Sequence, residues 1–199
     1  MSNAKAVIFI VIGVLCTRVA LAGGWRQSAD RLASETRGRP RPAEVSCGAI
    51  YPEVAFSPDG GAGRLIVHTI NEARRSIRVQ AYSFSSRPIL RALLAAHRRG
   101  VQIQVIVDKS DLKARDSLGV RKMLSAGIPV WVDMTPRIAH NKVMIIDGQT
   151  VITGSYNFSW SASHENAENV LVLPCQALAD RYLANWRWRK AYSGRETVR

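Results

Sequence analysis

Two spacings of apolar residues alternate along most of the chain. The segments 76–84 and 101–108 place apolar residues at every second position, which is typical of β-strands. The segments 63–75 and 88–100 place them three or four residues apart, which is typical of amphipathic helices. Because the two kinds of segment follow one another repeatedly, the pattern predicts an α/β domain around a substantially parallel sheet.

Shorter segments extend the same alternation. Strands are predicted at 49–58, 128–133 and 168–173, and helices at 117–127 and 177–192. The length of 199 residues agrees with a single domain plus one or two tails.

A β-hairpin is predicted around the Asp-Gly pair at residues 147 and 148, which is a favoured two-residue turn. With that turn, His140 would lie opposite Ser155. Residues i and i+2 of a strand share one face, so His140 and Lys142 would project together, with Asn157 further along the same face. The hairpin would thus gather an imidazole, an ammonium, a hydroxyl and an amide.

The first 22 residues have the pattern of a signal peptide. Lys5 precedes an apolar run over residues 6–16, and a small-x-small cleavage signal stands before Gly23. The competing interpretation is an uncleaved membrane anchor, but a span needs roughly 20 apolar residues and Arg18 interrupts this run. We therefore expect export, to a periplasmic or secreted location.

Residues 23–46 lack sustained periodicity, so we expect a flexible basic linker there and a folded domain over 47–199. Two cysteines, Cys47 and Cys175, lie near the two ends of this domain. An oxidising compartment would favour a bridge between them. The alternative of two unpaired buried thiols stays open.

The chain is strongly basic, with 28 Lys and Arg against 15 Asp and Glu and a net charge of +13. Such a charge favours polyanionic partners, namely nucleic acid, anionic lipid head groups or a negatively charged envelope. The alternative is that the charge serves only solubility. Trp186 and Trp188 alternate with basic residues and could stack on bases, but helical spacing favours Trp186 as a core residue.

The grouped side chains suit chemistry on a phosphodiester. Lys142, Asn157 and Ser155 can supply cationic and hydrogen-bond donors to the phosphate oxygens. A neutral imidazole, here His140, can attack phosphorus, and a second imidazole can protonate the leaving alkoxide. The other three histidines have no lysine at i+2, so the second imidazole could come from another copy of the chain.

Metal-dependent hydrolysis is the rival chemistry. Asp108 and Asp111 lie near a strand end, where we interpret them as a helix cap and a solvated loop rather than as metal ligands. A lysine between ligands would also repel a divalent cation. We therefore expect no metal and no other cofactor.

Three motifs together carry a family resemblance. The segment "HNKVMIID" is followed by "GSYNFS" and then by the acid in "NAENVLVL", which is Glu168. This set resembles the His-Lys-Asp motif of the phospholipase D superfamily, and the likeness extends over about residues 50–190. It is similar to small bacterial endonucleases with one motif per chain, and to the mitochondrial single-motif relative. The resemblance implies a mixed, largely parallel β-sheet with helices on both faces.

The resemblance also implies a homodimer in which two motifs meet at a two-fold axis. His140 of one subunit would form a phosphohistidine, while His140 of the other would protonate the leaving group and then activate water. Lys142 and Asn157 would hold the phosphate, Ser155 would assist, and Glu168 would orient the imidazole. Asp147, although part of the motif, is interpreted as structural because it lies in the predicted turn.

The function predicted first is a metal-independent phosphodiesterase that cuts DNA and RNA with little sequence preference. The second candidate is a phospholipase D acting on a phospholipid head group of the phosphatidylcholine type, because the reacting bond is the same. A third candidate is an inactive module that binds nucleic acid. The intact motif is evidence against this third candidate.

Overall fold

The computed structural model describes residues 39–111 and 118–196, which form eight strands and five helices. In chain order these are β1 Glu53–Ser57, α1 Ala62–Glu72, β2 Ser76–Ala81, α2 Arg87–Arg98, β3 Gln102–Asp108, α3 Leu118–Ser125, β4 Val130–Asp133, β5 Lys142–Ile146, β6 Thr150–Gly154, α4 Trp160–His164, β7 Glu168–Pro174, α5 Gln176–Ala191 and β8 Gly194–Arg195. The predicted signal peptide and most of the predicted linker lie outside the described residues. The chain from Pro40 onward belongs to one compact unit.

All eight strands join in one mixed sheet, in the order β1-β7-β6-β5-β2-β3-β4-β8. The predicted α/β fold with a mixed sheet is confirmed, but the expectation of a largely parallel sheet is wrong, because two of the seven pairings are parallel. Parallel pairing occurs within β2-β3-β4, where helices make the connections, and the other five pairings are antiparallel. The β5-β6 connection is a short turn, which can join only antiparallel neighbours.

Helices cover both faces of the sheet, as predicted. On one face, α1 packs beside α2 and contacts β1 and β7, while α2 contacts β3, and Ile66, Ile70 and Leu93 are fully buried. The helix α2 begins at Arg87 because the Ser86 side chain accepts a hydrogen bond from the Ile89 N–H, which satisfies a free donor of the first turn.

The other face is covered by α5. Trp186 of this helix is buried against Trp131 and Val143, and its indole N–H donates to the Val79 carbonyl at 3.0 Å. The expectation that Trp186 is a core residue is confirmed. The start of α5 is tied to the N-terminal segment by a disulfide between Cys47 and Cys175.

The hairpin β5-β6 differs from the predicted register by one residue. Val143 pairs with Thr153 and Ile146 with Thr150, so three residues separate the paired strands instead of two. Asp147 and Gly148 do form the tight turn, both with positive φ, but Gln149 follows as an extra residue, as in a β-bulge. The predicted pairing of His140 with Ser155 is therefore wrong. Across the described ranges, no helix has the length and apolar character needed to span a membrane.

Candidate active site

The predicted catalytic residues begin where β5 begins, at the carboxyl end of β2. Lys142 is the first residue of β5 and pairs with Ala81, the last residue of β2. The backbone continues this contact outside the strands, because the Tyr82 N–H donates to the Asn141 carbonyl at 3.0 Å. His140 therefore lies just before β5, at the end of the sheet where β2 finishes, and its side chain is exposed.

His140 and Lys142 are in direct contact. The Lys142 Nζ lies 2.8 Å from His140 Nδ1 and 3.0 Å from Nε2, and it donates to the His140 carbonyl at 3.0 Å. The Tyr82 ring lies against both side chains, with its centroid 4.5 Å from that of the imidazole and 5.3 Å from Lys142 Nζ. The Tyr82 ring thus covers one side of the His140–Lys142 pair.

Burial makes the ammonium of Lys142 receptive to an anion. The residue is only 7% exposed, and burial lowers the pKa of Lys142, while the negative charge of Glu168 acts in the opposite direction. In the described part of the chain Lys142 has no salt bridge within 4.0 Å. A phosphate bound beside Lys142 would favour its charged form.

Asp108 supports the segment before His140 from the end of β3. Its carboxylate accepts the Ala139 N–H at 2.6 Å, and the Ser110 N–H and hydroxyl at 2.8 and 2.6 Å. Burial acts to raise the pKa of Asp108, but the hydrogen bonds from Ser110 and Ala139 and the charge of Lys109 outweigh it, so the pKa is lowered. Asp108 thus fixes the backbone one residue before the imidazole.

The interpretation of Asp108 and Asp111 as a cap and a solvated loop is wrong, because both side chains are buried. Asp111 accepts the Phe84 N–H at 3.2 Å, beyond the end of β2. Sequence reasoning missed these supporting residues. The signal was available, since Asp108 ends a buried parallel strand and Asp111 follows it, at the end of the sheet where α/β folds place their sites.

Ser155 lies directly after β6 and is held by β7. Its hydroxyl oxygen accepts the backbone N–H of Asn169 at 3.1 Å and the side-chain Nδ2 at 3.3 Å. Gly154 permits this approach, because a Cβ at that position would lie 2.2 Å from the Asn169 carbonyl oxygen. The structure thus gives Ser155 a fixed position but does not bring it into hydrogen-bond contact with His140.

The side-chain amide oxygen of Asn157, Oδ1, is buried and accepts no hydrogen bond from the other described residues. The backbone around Asn157 is nevertheless fixed, because the Phe158 carbonyl accepts the N–H groups of Ser85 and Ser86 at 2.9 and 2.8 Å. The Phe158 ring also packs edge-on against Phe84, 5.9 Å away.

Glu168 opens β7 beside Ser57. Its Oε1 accepts a hydrogen bond from Asn166 Nδ2 at 3.0 Å, and no hydrogen bond joins it to His140 in the described ranges. The carboxylate does act electrostatically on Lys142. The predicted orientation of the imidazole by Glu168 therefore stays a prediction.

Asp147 lies at the opposite end of β5 from Lys142. Its carboxylate accepts three backbone N–H groups, those of Arg74, Arg75 and Ser76, at 3.0, 2.7 and 2.8 Å. Burial acts to raise its pKa, but these hydrogen bonds and the Arg75 charge outweigh burial and lower the pKa. The contacts join the hairpin turn to the start of β2, which is a structural arrangement.

The chain is similar over most of its folded part to proteins of one family. A family model described as "Cardiolipin synthase, PLD-like domain" matches residues 66–189. A Rickettsia bellii protein named phospholipase D is 46% identical over 139 residues, which cover 70% of this chain and 69% of that protein. This chain belongs to the phospholipase D superfamily. The predicted family is confirmed, and the protein is accordingly a phosphodiesterase.

Two further members of the superfamily are similar to this chain. The Xenopus laevis mitochondrial cardiolipin hydrolase is 34% identical over 139 residues, covering 70% of this chain and 62% of that protein. The crystal structure of Nuc from Salmonella typhimurium, a phospholipase D family member, matches with a TM-score of 0.72 and 35% identity. That match covers 74% of this chain and 99% of Nuc.

Among the described residues, His, Cys, Asp and Glu side chains do not gather in groups of three or more that could hold a metal ion. The donor in contact with His140 is instead the ammonium of Lys142. A cationic donor of this kind suits an anion such as a phosphodiester.

Proposed function

We propose that this superfamily member is a metal-independent endonuclease that hydrolyses DNA and RNA phosphodiesters through a phosphohistidine on His140. The observation that carries the proposal is the exposed imidazole of His140 in contact with the buried ammonium of Lys142. The imidazole can reach a large substrate on the surface. The ammonium stands where it can neutralise charge on a phosphate that the imidazole attacks.

The reaction has two displacements at phosphorus. In the first, a ring nitrogen of His140 forms a bond to phosphorus, and the bond to the leaving oxygen breaks while an imidazolium donates its proton to that oxygen. In the second, the same acid, now neutral, takes a proton from water as the water oxygen attacks phosphorus. The bond to His140 then breaks, and the enzyme returns to its initial state.

We propose that the second imidazole is His140 of another copy of the chain. The contacts of His140 within the described residues are with Tyr82 and Lys142 rather than with a histidine. Two large apolar side chains, Met134 and Ile138, are exposed in the segment that leads to His140. Burying them against a second copy would remove apolar surface from water and bring two sites together.

Charge favours nucleic acid as the substrate. The chain carries +13, and loss of the proposed leader would remove Lys5 and Arg18 but no acid. Phosphate contacts made by such a surface give affinity without sequence preference. We further propose that the protein is exported, because of that leader.

Phospholipid is the second candidate substrate. The Rickettsia bellii relative is named phospholipase D, and the Xenopus laevis relative is named cardiolipin hydrolase. The exposed Met134 and Ile138 also lie close to His140 along the chain, where they could contact acyl chains. The reacting bond is the same, so the catalytic side chains do not separate the two candidates.

A substrate panel tests the proposal. The purified protein is incubated in chelator with plasmid, single-stranded DNA, RNA, and vesicles of phosphatidylcholine or cardiolipin. We expect cleavage of the nucleic acids, and we expect His140→Ala to reduce it more than about 1,000-fold, because the nucleophile is removed. His68→Gln is the control, since His68 lies exposed on α1 and pairs with Glu72.

Three outcomes contradict the proposal. Lipid hydrolysis without cleavage of nucleic acid would establish the second candidate. Salt-sensitive DNA binding without any turnover would indicate an inactive binding module. Cleavage that chelator abolishes and one added metal ion restores would exclude the metal-independent mechanism.

A further inference from the structure

A groove of ≈ 700 Å³ opens beside the segment that carries Asn157. One wall is the start of α2 and the other is α4. The N–H groups of Ser85 and Ser86 bind the Phe158 carbonyl, so the α2 wall is fixed to the chain one residue beyond Asn157. The groove therefore adjoins the segment that carries Asn157, one of the predicted phosphate-holding residues.

Trp160 presents a flat aromatic surface in this groove. The indole is stacked on the His164 ring, with centroids 4.6 Å apart and an interplanar angle of 14°. His164 Nδ1 lies 2.9 Å from the Trp160 carbonyl oxygen, which holds the imidazole in place. Trp160 as a whole residue is nevertheless 57% exposed. Its orientation is thus restrained while surface remains for a second flat partner.

Arg87 and Arg91 lie on the same groove in an arrangement that is unfavourable without an anion. They are four residues apart on α2, so the two positive charges are neighbours and repel each other. Arg87 also occupies the first turn, where the helix dipole disfavours a cation. Across the described chain neither guanidinium pairs with a carboxylate, and the residues lining the groove include none.

We propose that this groove, which we call the Trp160 subsite, binds one nucleotide of a single-stranded nucleic acid next to the scissile phosphate. An unpaired base would stack on Trp160, and the adjoining phosphate would pair with Arg87 and Arg91. The anion relieves both unfavourable charge interactions on α2. The proposal rests on the proposed nuclease function, since it assigns where that substrate binds.

The surroundings of Trp160 favour a nucleotide over a lipid bilayer. The remaining lining consists of serines, Pro88, the two arginines and His164. An aromatic residue that enters a bilayer would be expected to stand in a broader apolar patch. A single aromatic ring among hydroxyl and cationic groups instead matches a stacking platform in a charged groove.

Strand preference follows from the geometry of stacking. In a duplex both faces of each internal base are already covered by its neighbours, so a base can reach the indole only after unstacking. A single strand offers its bases without that cost. The Trp160 subsite should therefore favour single strands, while phosphate contacts elsewhere on the surface would serve both forms.

Binding by the inactive His140→Ala protein tests the subsite. Fluorescence anisotropy in chelator would measure its affinity for a labelled DNA oligonucleotide, as a single strand and as a duplex. Adding Trp160→Ala should weaken single-strand binding by about 10- to 100-fold and change duplex binding much less. Trp160→Phe should restore part of the affinity. Replacing Arg87 and Arg91 by glutamine should lower the salt slope by about 0.7 for each phosphate that the variant no longer neutralises.

Matched controls separate the subsite from general effects. Tyr51→Ala removes an aromatic residue that is 89% exposed and lies outside the groove lining, and Arg98→Gln removes a cation from the other end of α2. Both should leave affinity unchanged, and thermal unfolding should show that every variant is folded.

The outcomes distinguish the subsite from the nuclease proposal. If the unmodified protein cleaves nucleic acid but Trp160→Ala binds single strands as tightly as its parent, the subsite is wrong and the function stands. If the unmodified protein cleaves none of the nucleic acids, the function itself fails. Loss of vesicle binding with unchanged oligonucleotide binding would assign Trp160 to a membrane surface instead.

Discussion

At the residue scale, the proposed chemistry depends on two side chains with opposite exposure. His140 is exposed and can meet a macromolecular substrate, whereas Lys142 is buried directly beside it. Burial lowers the pKa of Lys142, which means that its charge is poorly solvated by water and would gain from a phosphate. The carboxylate of Asp108 holds Ala139, so the backbone at the imidazole is restrained before any substrate arrives.

Asp147, the third member of the motif, has a different task. It accepts the N–H groups of Arg74, Arg75 and Ser76 and thereby fastens the β5-β6 turn to the start of β2. Asp147 itself has a positive φ, a conformation that aspartate tolerates better than most residues. These two features explain why the position suits aspartate without a part in the reaction.

We predict that Asp147→Asn lowers the free energy of unfolding by about 2 kcal/mol at pH 7, because charged hydrogen bonds to backbone donors are removed. The pKa of Asp147 is lowered in the folded protein, so its stabilisation is present above the unfolded value of about 3.9 and is lost as pH falls through the folded pKa. Urea denaturation across pH would measure both effects. Asp180→Asn, an exposed residue of α5, is the control for the change in net charge.

The difference between the unmodified protein and Asp147→Asn should be constant above about pH 5 and shrink below about pH 4. A difference that persists undiminished at low pH, or one shared equally by Asp180→Asn, would show that the carboxylate charge of Asp147 is not the cause.

At the element scale, the apolar pattern located most helices and strands but not their pairing. The periodicity of the segment 101–108 predicts β3, and Pro88 and Gly100 bracket α2 as expected. The register of β5 with β6 depends on whether Gln149 belongs to the turn or to the strand. Both alternatives keep an Asp-Gly turn, so local sequence preference did not distinguish them.

Buried acids were the other element-scale feature that the pattern did not reveal. Asp108 and Asp111 lie in a polar segment that reads as a solvated loop in the sequence. Only the folded chain shows that their carboxylates accept the backbone N–H groups of Ala139 and Phe84. The mixed pairing of the sheet also escaped a purely local pattern, because strand order is decided by contacts distant in sequence. The motif residues were identifiable earlier because their identities, rather than their spacing alone, carry the chemistry.

At the scale of the whole molecule, one chain presents one exposed imidazole, that of His140, beside the buried ammonium of Lys142. The proposed mechanism needs two imidazoles at one phosphate, a nucleophile and an acid. The proposed two-fold dimer would supply both with one interface, and the exposed Met134 and Ile138, which precede His140 in the chain, would give that interface apolar surface to bury.

Mixed dimers test this arrangement. Unmodified protein and His140→Ala protein would be unfolded together, refolded at varied ratios and assayed at constant total concentration. If each active site uses both chains, activity should fall with the square of the unmodified fraction. A linear fall would show that each chain carries a complete site, which would contradict the shared site.

Trapping the covalent intermediate tests the central claim most directly. A metal-free reaction with a labelled oligonucleotide would be quenched rapidly under denaturing, alkaline conditions, which preserve a phosphorus–nitrogen bond to histidine. We predict an adduct on the peptide that contains His140, absent from the His140→Ala protein. Efficient turnover with no adduct at any quench time, or with the adduct on another residue, would contradict the account.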